Sequence, residues 1–121
     1  MPEMRLIEVT YGQALAIESY GPGFFRVGTH VLTGASLVTP WDAGAWGGLA
    51  DMAGPLALAG RIDVLLLGMG PAIAPIPRDF RQALEGAGIG VEPMNTPAAC
   101  RTYNVLLGEG RRVAACLMPM P

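Results

Sequence analysis

Met94-Asn95-Thr96-Pro97-Ala98-Ala99-Cys100-Arg101-Thr102-Tyr103-Asn104, read with the upstream turn Gly68-Met69-Gly70, decides how this chain folds. The turn ends Ile62 to Leu67, a short and almost wholly apolar run of the kind that makes a strand covered on both faces. Thr96-Pro97 then opens a helix, with Thr96 as N-cap and Pro97 at the first helical position. That helix runs to about Leu107, where Gly108 and Gly110 end it. Between the two lie a loop with Pro71, Pro75 and Pro77, a helix from Arg78 to Glu85 closed by Gly86 and Gly88, and a strand from Gly90 to Met94. Arg112 to Met118 reads as a closing strand. Strands alternating with helices at this spacing imply crossover units and largely parallel pairing.

Upstream, the pattern changes to short strands split by turns: Ala14 to Tyr20, Phe24 to Val27, His30 to Thr33 and Ser36 to Thr39, separated by Gly21-Pro22-Gly23, Gly28 and Gly34. This spacing predicts antiparallel hairpins. From Trp41 to Gly60 the chain is rich in Gly and Ala, which predicts an irregular crossing with one short helix starting near Pro55. Trp41 and Trp46, with Met52, either form a partner patch or seal the end of the sheet. Only Met1 to Arg5 and Pro119 to Pro121 read as loose ends. The expectation is one domain over residues 1–121, of α/β class, with a mixed central sheet, packed helices and an added antiparallel β layer.

Composition narrows the chemistry. The formal net charge of -2 removes the basic footprint of a nucleic-acid binder. All eight cationic side chains are arginine, so Schiff-base and phosphate-loop lysine chemistry are excluded. Hydrophobic residues make up 51%, yet Gly or Pro cuts every apolar run short of the roughly 20 residues that a membrane helix requires. The amino terminus has Glu3, Arg5 and Glu8 and neither an apolar signal core nor an acid-poor presequence, which predicts a cytoplasmic protein. Cys100 and Cys116 are then expected as free thiols.

The motifs offer few reactive groups. Gly68-Met69-Gly70 begins like a dinucleotide turn, but Ile73 stands where the third glycine belongs and three prolines delay the helix. His30 is the only histidine and has no carboxylate cluster, so no metal site is expected, and no cofactor is implied. Ser19, Ser36 and Asp42 lack the pattern of a nucleophile elbow, and Arg78, Asp79 and Arg81 read as the solvated face of a helix. Cys116 sits in a run apolar on both faces and reads as core. The helix entrance is the candidate site, because free amides at a helix start attract anions and lower the pKa of a nearby thiol. Cys100 is the candidate nucleophile, with Arg101 as anchor and Asn95, Thr96, Tyr103 and Asn104 as further polar groups; a small packing cysteine is the alternative. At about 100° per residue, Cys100 and Asn104 lie opposite the Ala98, Thr102, Leu106 face.

Gly68-Met69-Gly70, Met94-Asn95-Thr96, Ala99-Cys100-Arg101-Thr102-Tyr103-Asn104 and Glu109-Gly110-Arg111-Arg112-Val113-Ala114-Ala115 resemble the MTH-type domain family. The resemblance spans nearly the whole chain, including Ile17 to Tyr20 and Ser36 to Val38. Members of that family include a mitochondrial complex I assembly factor and an adipogenesis-associated protein. The resemblance implies a compact α/β fold and a non-enzymatic interaction or assembly role for a larger complex. It implies protein partners; the surface expected to meet them combines Gly68, Met69 and Gly70 of the turn, the helix entrance from Asn95 and Thr96 through Cys100 and Arg101, with Tyr103 and Asn104, and Trp41 or Trp46. Met69 departs from the threonine usual in the family, and the family brings no established catalytic residue. The rival function is a small-anion binder or thiol enzyme using Cys100. Apolar residues exposed around the tryptophans would favour a homodimer.

Overall fold

The computed structural model of the protein describes residues 5–8 and 14–121. The run read as a buried strand becomes β7 (Val64–Gly68), at the centre of the molecule. It pairs in parallel with β8 (Gly90–Met94) on one side and β9 (Val113–Leu117) on the other. β9 pairs antiparallel with β5 (Ser36–Val38), which continues to β6 (Asp42–Ala45) and β1 (Arg5–Glu8). The six-stranded sheet therefore runs β1-β6-β5-β9-β7-β8. A second, three-stranded antiparallel sheet holds β2 (Ile17–Gly21), β3 (Phe24–Val27) and β4 (His30–Thr33). This is the mixed sheet with an added β layer that the sequence predicts.

Two helices cover opposite faces of the large sheet. The chain steps outward from β7 to β8 through α2 (Arg78–Gly86), then back past β7 to β9 through α3 (Thr96–Gly108). Crossovers of one hand in opposite directions place their helices on opposite faces. Alternation along the central strands then makes two cores. Leu66, Val113, Ala115 and Leu117 face Ala99, Cys100 and Tyr103 of α3, with Ile17, Phe25, Val27 and Leu32 of the small sheet closing the layer. Leu65, Leu67, Ala114 and Cys116 face Phe80 and Leu84 of α2, with Trp46, Leu58 and Ile62. Each fully buried large side chain contributes about 1.5–3 kcal/mol.

Four local expectations change. β6 forms within the stretch expected to be irregular: its Gly and Ala carry weak strand propensity, and pairing with β5 and β1 supplies the order. The short helix α1 is Ala53–Leu56, so Pro55 lies inside it rather than at its start. Met1 to Met4 lie outside the described residues, but the carboxyl end is tied down: Gly23 N donates to Met120 O at 2.8 Å, and Pro22 bridges to Met120. The tryptophan patch does not form as an exposed surface. Trp46 is 4% exposed, lies edge-on to Phe80 at 6.4 Å, and donates from Nε1 to Asp51 O at 3.0 Å. Trp41 is half-buried under the Arg61 guanidinium, 4.1 Å above its ring.

Candidate functional site

The structure brings the glycine turn and the helix entrance together, as the sequence suggests, but uses their polar groups to hold one another. Thr96, expected as N-cap, is instead the first residue of α3, and Asn95 is the cap. Asn95 has extended backbone, and its Oδ1 accepts from Ala98 N at 2.8 Å. Because Asn95 serves the helix, the Thr96 hydroxyl is free to act between elements. It accepts from Gly70 N at 2.8 Å and donates to Met118 O at 2.7 Å, clasping the turn after β7 to the chain leaving β9. Thr96 N donates to Gly70 O at 2.8 Å, Met69 N to Met94 O at 2.8 Å, and Met118 N to Gly68 O at 2.9 Å. Gly70 takes φ +87, which a side chain disfavours. A Cβ on Gly68 would sit 2.9 Å from Thr96 Oγ1 and 3.1 Å from Thr96 Cα, so only glycine permits this approach.

This arrangement decides what the helix entrance can do. Of its leading amides, Thr96 N is spent on Gly70 O, Pro97 has none, Ala98 N is spent on Asn95 Oδ1, and Ala99 N on Asn95 O. No donor is left aimed outward for an anion or an oxyanion. Cys100 lies in the core between α3 and the sheets, 4% exposed. Burial pushes its thiol up to about 11, outweighing the opposing field of Arg101. The lowered pKa expected of a helix-start nucleophile is thus reversed, and the face that carries Cys100 turns inward. Cys116 is buried as well, its thiol pushed well above the ordinary range by burial and by Asp51, and both cysteines are free. Arg101 is exposed and forms no hydrogen bond or ion pair among the described residues.

Tyr103 and Asn104 turn out to be ties between layers. The Tyr103 hydroxyl donates to Leu15 O at 2.8 Å, and burial raises its pKa. Asn104 Oδ1 accepts from Ile17 N at 2.9 Å while its Nδ2 donates to Ile17 O at 2.8 Å. The side-chain amide thereby pairs with both backbone groups of one residue, as a neighbouring strand would, and holds β2 against α3.

Sequence reasoning missed a cavity of about 380 Å³ between β5, β6 and α1. Leu37, Gly44, Ala53 and Ala57 line its apolar part, and Thr39, Asp42, Asp51 and Arg61 its polar part. Asp51 organises the loop beside it, its carboxylate accepting from Gly47 N at 3.0 Å and Gly54 N at 3.1 Å. The only signal in the sequence is an aspartate beside glycines, which marks any turn. Among the described residues, no three His, Cys, Asp or Glu gather to hold a metal, and no helix is long and apolar enough to cross a membrane. More noticeable is the segment from Pro71 to Pro77, which carries no charged residue. It leaves the clasped turn with Pro71 to Pro75 exposed, Ile73 at 61%.

Fold and clasp define a class of protein: an α/β domain with helices on both faces of a mixed sheet and an added β layer, whose best-marked residues build structure and whose two thiols are buried. Residues 17–118 match the family described as a protein of unknown function (DUF498/DUF598), and the chain belongs to that family, the MTH-type domains. An uncharacterised protein of Rhodobacter capsulatus is 49% identical over 114 residues, covering 94% of this chain and 92% of that one. The human NADH dehydrogenase (ubiquinone) 1 alpha subcomplex assembly factor 3 is 33% identical over 125 residues, covering 98% of this chain and 68% of that protein. Among solved structures, an Mth938-like domain of Bordetella pertussis superposes with a TM-score of 0.75 at 27% identity, covering 96% of this chain and 92% of the other. A Bartonella henselae protein described as an outer membrane protein gives 0.82 at 31% identity, covering 93% and 100%.

Proposed function

We propose that this protein is a cytoplasmic, non-enzymatic interaction protein that assists assembly of a larger complex, with a respiratory complex as the leading client. The similarity to the human assembly factor carries this reading, because it runs over 98% of the chain and so involves the whole domain. The chemistry of the site points the same way. A buried thiol with a raised pKa and a helix entrance whose amides are all engaged favour a structural scaffold over a catalytic one. On this reading Gly68, Met69, Gly70, Asn95 and Thr96 form the rigid base of a binding surface. The exposed apolar stretch 71–75 and the exposed guanidinium of Arg101 meet the partner, a combination common in interface anchors.

Affinity capture from the native organism tests this, comparing wild type with Ile73→Asp and Arg101→Glu. The expected result is a defined partner lost from both variants, together with slower assembly of its complex in a deletion strain, followed on native gels. Unchanged assembly in the deletion strain and the same co-purifying proteins from all three forms would sink the reading.

A further inference from the structure

The segment between the clasped turn and α2, Pro71-Ala72-Ile73-Ala74-Pro75-Ile76-Pro77, is held at both ends and bare between them. At its start Gly70 exchanges two hydrogen bonds with Thr96. At its end Pro77 O accepts from Arg81 N at 3.2 Å, and Ile76 packs against the core on the α2 side. Local chemistry fixes the backbone in between. Each proline ring holds its own φ at about -65°, and Ala74 and Ile76, each preceding a proline, are driven out of the helical region into extended backbone. Pro77 stands at φ -57 and ψ 139, in the polyproline II region. Residues 73–77 belong to neither helix nor strand, and neither the amides of Ile73, Ala74 and Ile76 nor the carbonyls of residues 73–76 have a partner among the described residues. At about three residues per turn, Ile76 sets one edge of this segment against the core and leaves Ala74, Pro75 and Pro77 on the two outer edges, where all three are exposed. Ile73, one turn before Ile76, stands clear of the core at 61% exposed.

We infer that residues 73–77 are a preformed polyproline II ligand that docks in a groove of the partner protein lined by tryptophan or tyrosine; the inference rests on the interaction reading above and names the chemistry of its partner. The backbone itself selects that groove. Over residues 71–77 the chain offers seven carbonyls but four N–H groups, so whatever covers the segment must bring hydrogen-bond donors. The same partner must lay flat apolar surface against the exposed rings of Pro75 and Pro77. Indole and phenol side chains supply both, a flat face and an N–H or O–H, from one residue. A sheet edge does not fit. In a segment that turns about 120° per residue, Ala74 and Ile76 do not present their backbone groups to one side, and proline at a φ of about -65° cannot flatten toward the about -140° of an antiparallel strand. Another copy of this chain does not fit either, since Trp46 is buried and Trp41 lies under Arg61, which leaves no open tryptophan groove among the described residues. Because both ends are tied and the prolines fix what lies between, the segment has little freedom left to lose on docking.

Two measurements test it. NMR relaxation on the intact protein should give the amides of Ile73, Ala74 and Ile76 order parameters of about 0.85, like the sheet, and values below about 0.6 would refute a preformed ligand. Photo-crosslinking from benzoylphenylalanine placed at Ala74, in the native organism, then identifies what lies against the segment, and the purified cross-linked protein is titrated with wild type, Pro75→Val and Arg101→Glu. The expected cross-link falls on a surface peptide of another protein that carries tryptophan or tyrosine, and Pro75→Val should bind about tenfold more weakly with its fold intact, Pro75 being exposed. Valine restores an N–H and favours a strand, so a partner that adds a sheet edge would bind Pro75→Val as well as wild type or better. That result, a cross-link to a second copy of this chain or to lipid, or a cross-linked surface without aromatic residues would each overturn the inference. If Arg101→Glu abolishes binding while Pro75→Val leaves it unchanged, the interaction reading stands and this inference fails. If wild type cross-links to nothing, both fall together.

Discussion

Replacing Thr96 with valine removes one hydroxyl and keeps the shape of the side chain, so it isolates the clasp from packing. Thr96 is fully buried, and its Oγ1 is the hydrogen-bond partner of Gly70 N at 2.8 Å and of Met118 O at 2.7 Å. Losing the hydroxyl leaves Gly70 N–H, itself buried, without an acceptor. A net hydrogen bond is worth about 1 kcal/mol and a stranded buried donor costs about 1–3 kcal/mol, so the variant should lose about 2–4 kcal/mol. Thr96→Ser keeps the hydroxyl and gives up a methyl, which should cost only about 1 kcal/mol. Urea unfolding followed by fluorescence of Trp46 reads the difference as a shift in midpoint at unchanged slope. Exchange of the Gly70 amide should quicken in Thr96→Val beyond what global destabilisation explains. If valine cost less than about 0.5 kcal/mol, or serine cost as much as valine, the clasp would not be a main support of this end of the sheet.

Asn104→Ala should free β2 from α3, costing about 2 kcal/mol for two lost backbone bonds, with the Ile17 amide showing the largest acceleration in exchange; a uniform change across the molecule would refute the tie. Gly68→Ala should destabilise by about 1–3 kcal/mol, because the added Cβ meets Thr96 Oγ1 at 2.9 Å and Leu117 Cδ2 at 3.0 Å, and a thermal midpoint equal to wild type would contradict that crowding. Native Cys100 should resist iodoacetamide at neutral pH and react readily only in denaturant; fast native alkylation would reopen the nucleophile reading. The same burial sets a pH dependence. The folded thiol holds its proton longer than the unfolded one, so the stability that burial supports is present below about 9 and is lost as the pH rises toward about 11. Denaturation at stepped pH should show that fall, and a Cys100→Ala variant should soften it, although Cys116 and Tyr103, raised by burial too, add to the slope.

How much was legible depended on how much of the pattern was local. Val64 to Leu117 was readable almost element by element because apolar runs, glycine stops and the Asn-Thr-Pro entrance act within a few residues of themselves. The front hairpins were readable for the same reason. β6 was not, since Gly44 and the flanking alanines have no strand preference apart from the neighbours that pair with them. The candidate site divides along the same line. That Gly68 to Gly70 and Asn95 to Asn104 matter was visible from their unusual chemistry, but the role of each side chain was not.

The sequence by itself determined the class of fold, the family, the absence of lysine chemistry and the two regions that meet, because composition, periodicity and turn residues are properties of a chain before it folds. The tertiary structure alone decided that Asn95 caps α3 and Thr96 clasps, that Asn104 stands in for a strand, and that Cys100 points into the core. Whether a donor is spent or a thiol buried depends on groups far along the chain: Thr96 meets Gly70 and Met118, and Asn104 meets Ile17. Hydrogen-bond satisfaction and desolvation are set by those distant partners.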